Sequence, residues 1–151
     1  MFATLRGICG GNVYDFRGKS HTLGQNNAVE TRGMGQLTTH VLDTTAGVPA
    51  NGVRIDVHQL PPFGAPALLV SVITGRDGRC PGPLLAGDAF RAGRYSLTFH
   101  LGDYFRARGA ILPQPAFIED TVVHIGVAHS DEHYHVPLLA SPWSYSVYRG
   151  G

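Results

Sequence analysis

Three stretches hold the residues whose types and spacing permit chemistry. They are His40 in TTHVLDT, Arg79 in DGRCPG, and a C-terminal group of His135, Tyr148 and Arg149 in HYHVPLLASPWSYSVYRGG. An imidazole changes charge near neutrality, so it can take a proton from water, and it is also the commonest metal ligand. A guanidinium keeps its charge and holds anions or a developing oxyanion. Residues of these two kinds, where a fold brings them together, suit water activation and anion binding. His133 and His135 are two apart, share one face of a strand, and so also admit a metal site. The set offers only imidazoles as ligands, which favours the metal-free reading.

Each residue has a plainer use when taken singly. A strand histidine such as His40 is commonly a hydrogen-bonded structural residue. An arginine after a turn, such as Arg79, is commonly just solvated. His133 reads as structural, as does His124, which shares a face with Val122, Gly126 and Ala128. His21, His58, His100 and His129 carry no motif. Nothing beside Cys80 would lower a thiol pKa, so it reads as a packed thiol. Trp143 and Tyr145 read as core or interface.

The elements that must position these residues are mostly strands. In residues 133–139 the odd-numbered side chains point one way and Tyr134, Val136 and Leu138 the other. Ser141-Pro142 marks a corner. A second strand follows, with Trp143, Tyr145, Val147 and Arg149 on one face. Earlier, Thr39, Val41 and Asp43 alternate with Thr38, His40 and Leu42. Val53, Ile55 and Val57 alternate with Arg54, Asp56 and His58. Between these runs lies a turn cluster over residues 46–52. Residues 68–74, 93–101 and 118–128 read as further strands, and Gly75-Arg76-Asp77-Gly78 as a tight turn. Residues 102–109 are the one fair helix candidate, with Asp103 in the first turn and arginines in the last. Short strands separated by Gly/Pro turns indicate an antiparallel sandwich or barrel. Residues 1–33 show no sustained period and read as a disordered leader or a misassigned start, which leaves 34–151 as the domain.

Bulk composition narrows the classes. A chain of 151 residues with 43% hydrophobic residues favours one domain with a real core. A formal net charge of +1 gives no electrostatic case for nucleic acid or a membrane surface. No apolar run reaches the length of a membrane span. Cys9 and Cys80 make no disulfide framework, and the expected setting is the reducing cytoplasm.

The segments LTTHVLDTTAGVPA, GRDGRCPGPLL and HYHVPLLASPWSYSVYRGG are similar to the signature segments of the transthyretin-like 5-hydroxyisourate hydrolases, enzymes of urate breakdown. Order and spacing agree over residues 34–151. YRGG closely resembles the family's YRGS ending, which separates these enzymes from the hormone carrier transthyretin. The resemblance implies an all-β, transthyretin-like (prealbumin-like) sandwich of two four-stranded antiparallel sheets with one short helix. It implies a homotetramer, a dimer of dimers, with sites in the channel between dimers. It implies hydrolysis of 5-hydroxyisourate to 2-oxo-4-hydroxy-4-carboxy-5-ureidoimidazoline, with no cofactor and no metal. Carried over by motif, His40, Arg79 and His135 are the catalytic residues, and Tyr148, Arg149 and Gly151 bind substrate. Gly151 departs from the pattern, since the family ends in Ser, and lacks that hydroxyl. The competing readings are a transthyretin-like carrier of small ligands and a metal-dependent amidohydrolase built on His40, His133 and His135.

Overall fold

The computed structural model of the protein describes residues 13–14, 20–21 and 35–150. The chain divides into two compact units, residues 1–31 and 32–151. In the first, β1 (Val13–Tyr14) pairs antiparallel with β2 (Ser20–His21). The remainder of the expected leader and the expected substrate contact of Gly151 lie outside the described residues.

The second unit is a two-sheet sandwich. Its elements in chain order are β3 (Gln36–Asp43), β4 (Val48–Pro49), β5 (Arg54–Leu60), β6 (Ala67–Ile73), β7 (Leu85–Ala86), β8 (Gly93–His100), α1 (Leu101–Ala107), β9 (Asp120–Val127), β10 (His133–Ala140) and β11 (Tyr145–Val147). One sheet runs β11-β10-β3-β4, with β7 also on β3; the other runs β6-β5-β8-β9. The expected two-sheet sandwich with one short α-helix is therefore present, although the first sheet has five strands rather than four because the short β7 also pairs with β3, and it is not wholly antiparallel. All pairings are antiparallel except one: β10 lies parallel to β3, from His133 beside Gln36 to Ala140 beside Asp43. A parallel pair needs a long crossover, and the whole second sheet lies between these two strands in the chain.

Alternation decides which side chains face inward. On β3, Leu37, Thr39, Val41 and Asp43 are buried, and Gln36, Thr38, His40 and Leu42 lie on the outer face. On β10, Tyr134, Val136, Leu138 and Ala140 are buried. They meet Ile55 and Val57 of β5, Leu97 and Phe99 of β8, and Val123 and Val127 of β9 in one core. Burying such side chains supplies most of the stability, roughly 1.5–3 kcal/mol for each large one.

Two polar clusters lock the ends of elements onto this core. Asp43 is buried, and its Oδ1 accepts the amides of Thr45 at 2.9 Å and Ala46 at 3.0 Å, which turns the chain after β3. Its Oδ2 accepts the Tyr104 hydroxyl at 3.0 Å, so the same carboxylate anchors α1. Burial, and after it Asp43, pushes the Tyr104 hydroxyl up to about 12. At the far side of α1, Glu119 accepts from both terminal nitrogens of Arg106 and from the Ala116 amide at 2.6 Å. The GRDG turn sits against β3 as well. Gly78 has a φ of +73°, and its carbonyl accepts the Val41 amide at 2.9 Å. A Cβ there would stand 2.3 Å from the Val41 oxygen, so only glycine lets the chain approach closely enough to deliver Arg79.

The Glu119 cluster gives a test in acid. The Arg106 guanidinium, and after it the Ala116 amide, holds the Glu119 carboxyl down at about 2 from an ordinary 4.5. A folded-state pKa below the unfolded one stabilises the fold above the unfolded value, and that stabilisation is lost as pH falls through the window from 4.5 to about 2. Thermal unfolding followed across that window should show a falling midpoint, and Glu119→Gln should flatten the fall while lowering the midpoint at neutral pH.

Candidate active site

The outer face of the first sheet gathers most of the expected chemistry. Parallel register puts His135 of β10 beside Thr38 of β3, and Pro137 beside His40. On the other side of β3, Arg79 forms an isolated antiparallel bridge with His40, so the two side chains share that face. The bridge follows from the GRDG turn: the Arg79 amide donates to Asp77 Oδ1 at 3.0 Å, and its carbonyl accepts the Gly75 amide at 2.7 Å. His40, Arg79 and His135 come from positions far apart in the chain and end as neighbours on two adjacent strands and a turn.

His40 is half-buried. Its Nε2 is shut off from solvent and has no hydrogen-bond partner among the described residues. A buried nitrogen without a partner carries a desolvation cost of roughly 1–3 kcal/mol and calls for a reason. His135 is also half-buried, and its Nδ1 lies 2.8 Å from the Thr38 hydroxyl. Burial lowers the His135 pKa, and the positive field of Arg79, then His133 and His40, lowers it further. Neutral imidazole, the form able to take a proton, is thereby favoured at neutral pH.

The C-terminal strand extends this sheet beside β10. The antiparallel register that sets Leu138 against Val147 continues to a bridge between His135 and Gly150. It places Tyr148 opposite Pro137, on the face of His135, and Arg149 opposite Val136, on the other face. Tyr148 and Arg149 thus leave opposite faces of the strand, yet both line one cleft together with His135. The Arg149 guanidinium stands 4.4 Å over the Tyr134 ring and donates to Glu132 Oε2 at 2.8 Å. It borders a cleft of about 420 Å³ at the open edge between β9 and β11, together with His124, Ile125, Tyr134, Val147 and Tyr148.

Two residues of this site were not singled out in the sequence. Thr38 touches both histidines of HYH, across 95 and 97 residues of chain, and only the β3–β10 register reveals that. Its signal was the shared parity of Thr38 and His40. Gly150 donates its amide to the His135 carbonyl at 2.9 Å, and a Cβ on it would lie 2.7 Å from His135 Cδ2. The glycine of YRGG is thus the floor on which the His135 ring rests. Of the other residues, Cys80 is packed as expected, whereas Trp143 is exposed and not part of the core. Cys80 is a free thiol that burial pushes up to about 11, so it stays protonated and unreactive. Trp143 precedes β11 and packs against Phe117 with ring centroids 6.4 Å apart. No three His, Cys, Asp or Glu side chains among the described residues gather into a group able to hold a metal ion. No helix among the described residues is long and apolar enough to cross a membrane.

Known proteins share this architecture. The model of the HIUase/Transthyretin family matches residues 37–150. A 5-hydroxyisourate hydrolase of Pseudomonas aeruginosa is 50% identical over 117 residues, which cover 78% of this chain and 92% of that protein. A solved 5-hydroxyisourate hydrolase of Klebsiella pneumoniae superposes with a TM-score of 0.65 at 29% identity, covering 78% of this chain and 100% of the other. The crystal structure of an (S)-allantoin synthase superposes with a TM-score of 0.74 at 43% identity over 78% of this chain. The chain spans only 44% of that longer protein.

The seating of His135 gives the prediction for this site. Gly150→Ala should push the His135 ring away from its position and cut kcat by about 10-fold or more, the scale expected for misplacing a catalytic group. The fold should survive, because the strain falls at an edge strand. Steady-state kinetics beside a thermal melt separates the two effects. A fully active Gly150→Ala protein would mean that the ring has room to spare.

Proposed function

The chain belongs to the HIUase/Transthyretin family, and we propose that it hydrolyses 5-hydroxyisourate to 2-oxo-4-hydroxy-4-carboxy-5-ureidoimidazoline. The observation that carries this reading is the meeting of His40, Arg79 and His135 on one sheet face. A carrier of small apolar ligands has no use for two imidazoles beside a guanidinium. The hydrolase names of relatives at this level of identity point the same way.

In this reading a neutral imidazole, His135, takes a proton from water as the water oxygen attacks the ring carbonyl. Arg79 holds the oxyanion that forms on that carbonyl oxygen and attracts the anionic substrate. His40 is the second imidazole of the set and orients the water or delivers a proton to the nitrogen as the C–N bond breaks. One proton of the water passes by way of the imidazoles to the departed nitrogen and the other is released to solvent as the new carboxylic acid ionises, so both histidines return to their starting forms and atoms and charge balance without a metal or covalent intermediate. Tyr148 lines the substrate side. Arg149, paired with Glu132 and stacked on Tyr134, seats the strand that carries Tyr148 and Gly150. Gly151 stands where the family has Ser and offers a backbone amide but no hydroxyl.

The reading includes a homotetramer, a dimer of dimers. Its support is the open outer face of a single chain and the exposed aromatic side chains of Phe117, Trp143, Tyr145 and Tyr148. A cytoplasmic setting, with residues 1–33 outside the catalytic unit, belongs to the same proposal and is supported by the free thiol of Cys80.

Single-residue variants test the assignment. His40→Ala and His135→Ala should each lower kcat by about 10²–10⁴-fold, the usual scale of lost acid–base help; His133→Ala should cost far less. Because the His135 pKa is lowered, the base stays neutral below its ordinary 6.5, and kcat/KM should hold as pH falls past that value before declining. Equal losses at all three histidines would point to a metal clamp instead. Dialysis against a strong chelator decides that directly: activity should survive, whereas loss with recovery on adding zinc would favour a metallohydrolase.

A further inference from the structure

One hydroxyl joins the two imidazoles of HYH. Thr38 Oγ1 lies 2.7 Å from His133 Nε2 and 2.8 Å from His135 Nδ1. The two rings stand with centroids 6.1 Å apart, on opposite sides of it. A hydroxyl has one proton to give and lone pairs to accept with. It cannot donate to both rings, so one of them must donate to it. Thr38 therefore joins the two rings in one hydrogen-bonded unit in which at most one ring accepts its proton. If Thr38 donates to His133, then His135 keeps its proton on Nδ1 and presents a bare Nε2. If Thr38 donates to His135, the His135 proton sits on Nε2, and no acceptor site is left on that ring.

The surroundings hold this arrangement in place. Thr38 and His135 are direct register partners in the parallel β3–β10 pair, so the hydroxyl cannot drift from the ring. Gly150 and its strand bridge His135 from the other side. His133 is exposed at the start of β10, where water can serve its second nitrogen.

We propose that Thr38 is a positioning residue that fixes His135 as the Nδ1–H tautomer, with His133 as the acceptor that orients the Thr38 hydroxyl. Nε2 of His135 is then the atom that takes the proton of the attacking water. His133, structural by its motif alone, gains a part in the chemistry through its neighbour. The proposal rests on the hydrolase reading for its kinetic consequence, though not for the tautomer itself.

Two readouts separate these. Long-range ¹H–¹⁵N spectra of the full chain at neutral pH need no substrate. They should show His135 protonated at Nδ1 and bare at Nε2, and Thr38→Val, which keeps the shape and removes the hydroxyl, should shift the ring toward the Nε2–H form. In kinetics Thr38→Val should lower kcat by about 10-fold, roughly 1.4 kcal/mol of barrier, with KM within about twofold by the same scale of argument. Thr38→Ser should recover most of the rate. His133→Ala, an exposed change that leaves β3 untouched, should cost about as much as Thr38→Val. The double variant should be no worse than either, because both remove one linked unit. A native His135 already protonated at Nε2, or additive losses in the double variant, would overturn the proposal. An inert native protein whose His135 still shows a bare Nε2 would sink the hydrolase reading alone and leave the tautomer assignment standing.

Discussion

The parallel pairing of β3 with β10 is the constraint on which everything else depends. It joins two stretches about 97 residues apart, and it does so in a register that sets Thr38 beside His135 and His40 beside Pro137. Slipping one strand by a single residue would turn its outward side chains into the core. The buried row of Leu37, Val41, Val136 and Leu138 forbids that slip. The apolar core therefore does more than stabilise: it fixes the register that brings one imidazole within reach of the next.

Two glycines refine what the register begins. Gly78 lets the GRDG turn lie against the Val41 carbonyl, which brings Arg79 to the edge of β3. Gly150 lets the last strand lie against the His135 ring. In both places a side chain would occupy space that a neighbour already fills. The charge pattern follows from this closeness. His135 is ringed by Arg79, His133 and His40, so its protonated form is disfavoured by burial and by like charge together. A base crowded by positive charge stays neutral, and the same positive charge suits an anionic substrate.

Much of this was legible in the sequence because period-two alternation is a strong signal. The inward rows of β3, β5, β9 and β10 and the helix after β8 stand where alternation and charge placement put them. The fold family was legible from three motifs. What alternation cannot report is which strand lies beside which. The parallel β3–β10 pair, and with it the contact of Thr38 with both histidines, comes from pairing alone. The face of Arg149, in contrast, was legible from alternation, which sets it opposite to that of Tyr148. The motif grouped it with Tyr148, yet parity along a strand separates neighbours, and the cation goes to Glu132 and Tyr134. Asp43 was grouped with Thr39 and Val41 by parity. Its work in turning the chain and anchoring Tyr104 needed three dimensions to see.

The central claim is that a sheet face bearing His40, Arg79 and His135 opens a ring lactam. The most direct measurement follows the ultraviolet absorbance of 5-hydroxyisourate, made freshly from urate, with and without the native protein. The account predicts that the intermediate disappears much faster than it does spontaneously, and that the acceleration scales with protein concentration. Decay at the spontaneous rate, at every concentration of a folded protein, would contradict it.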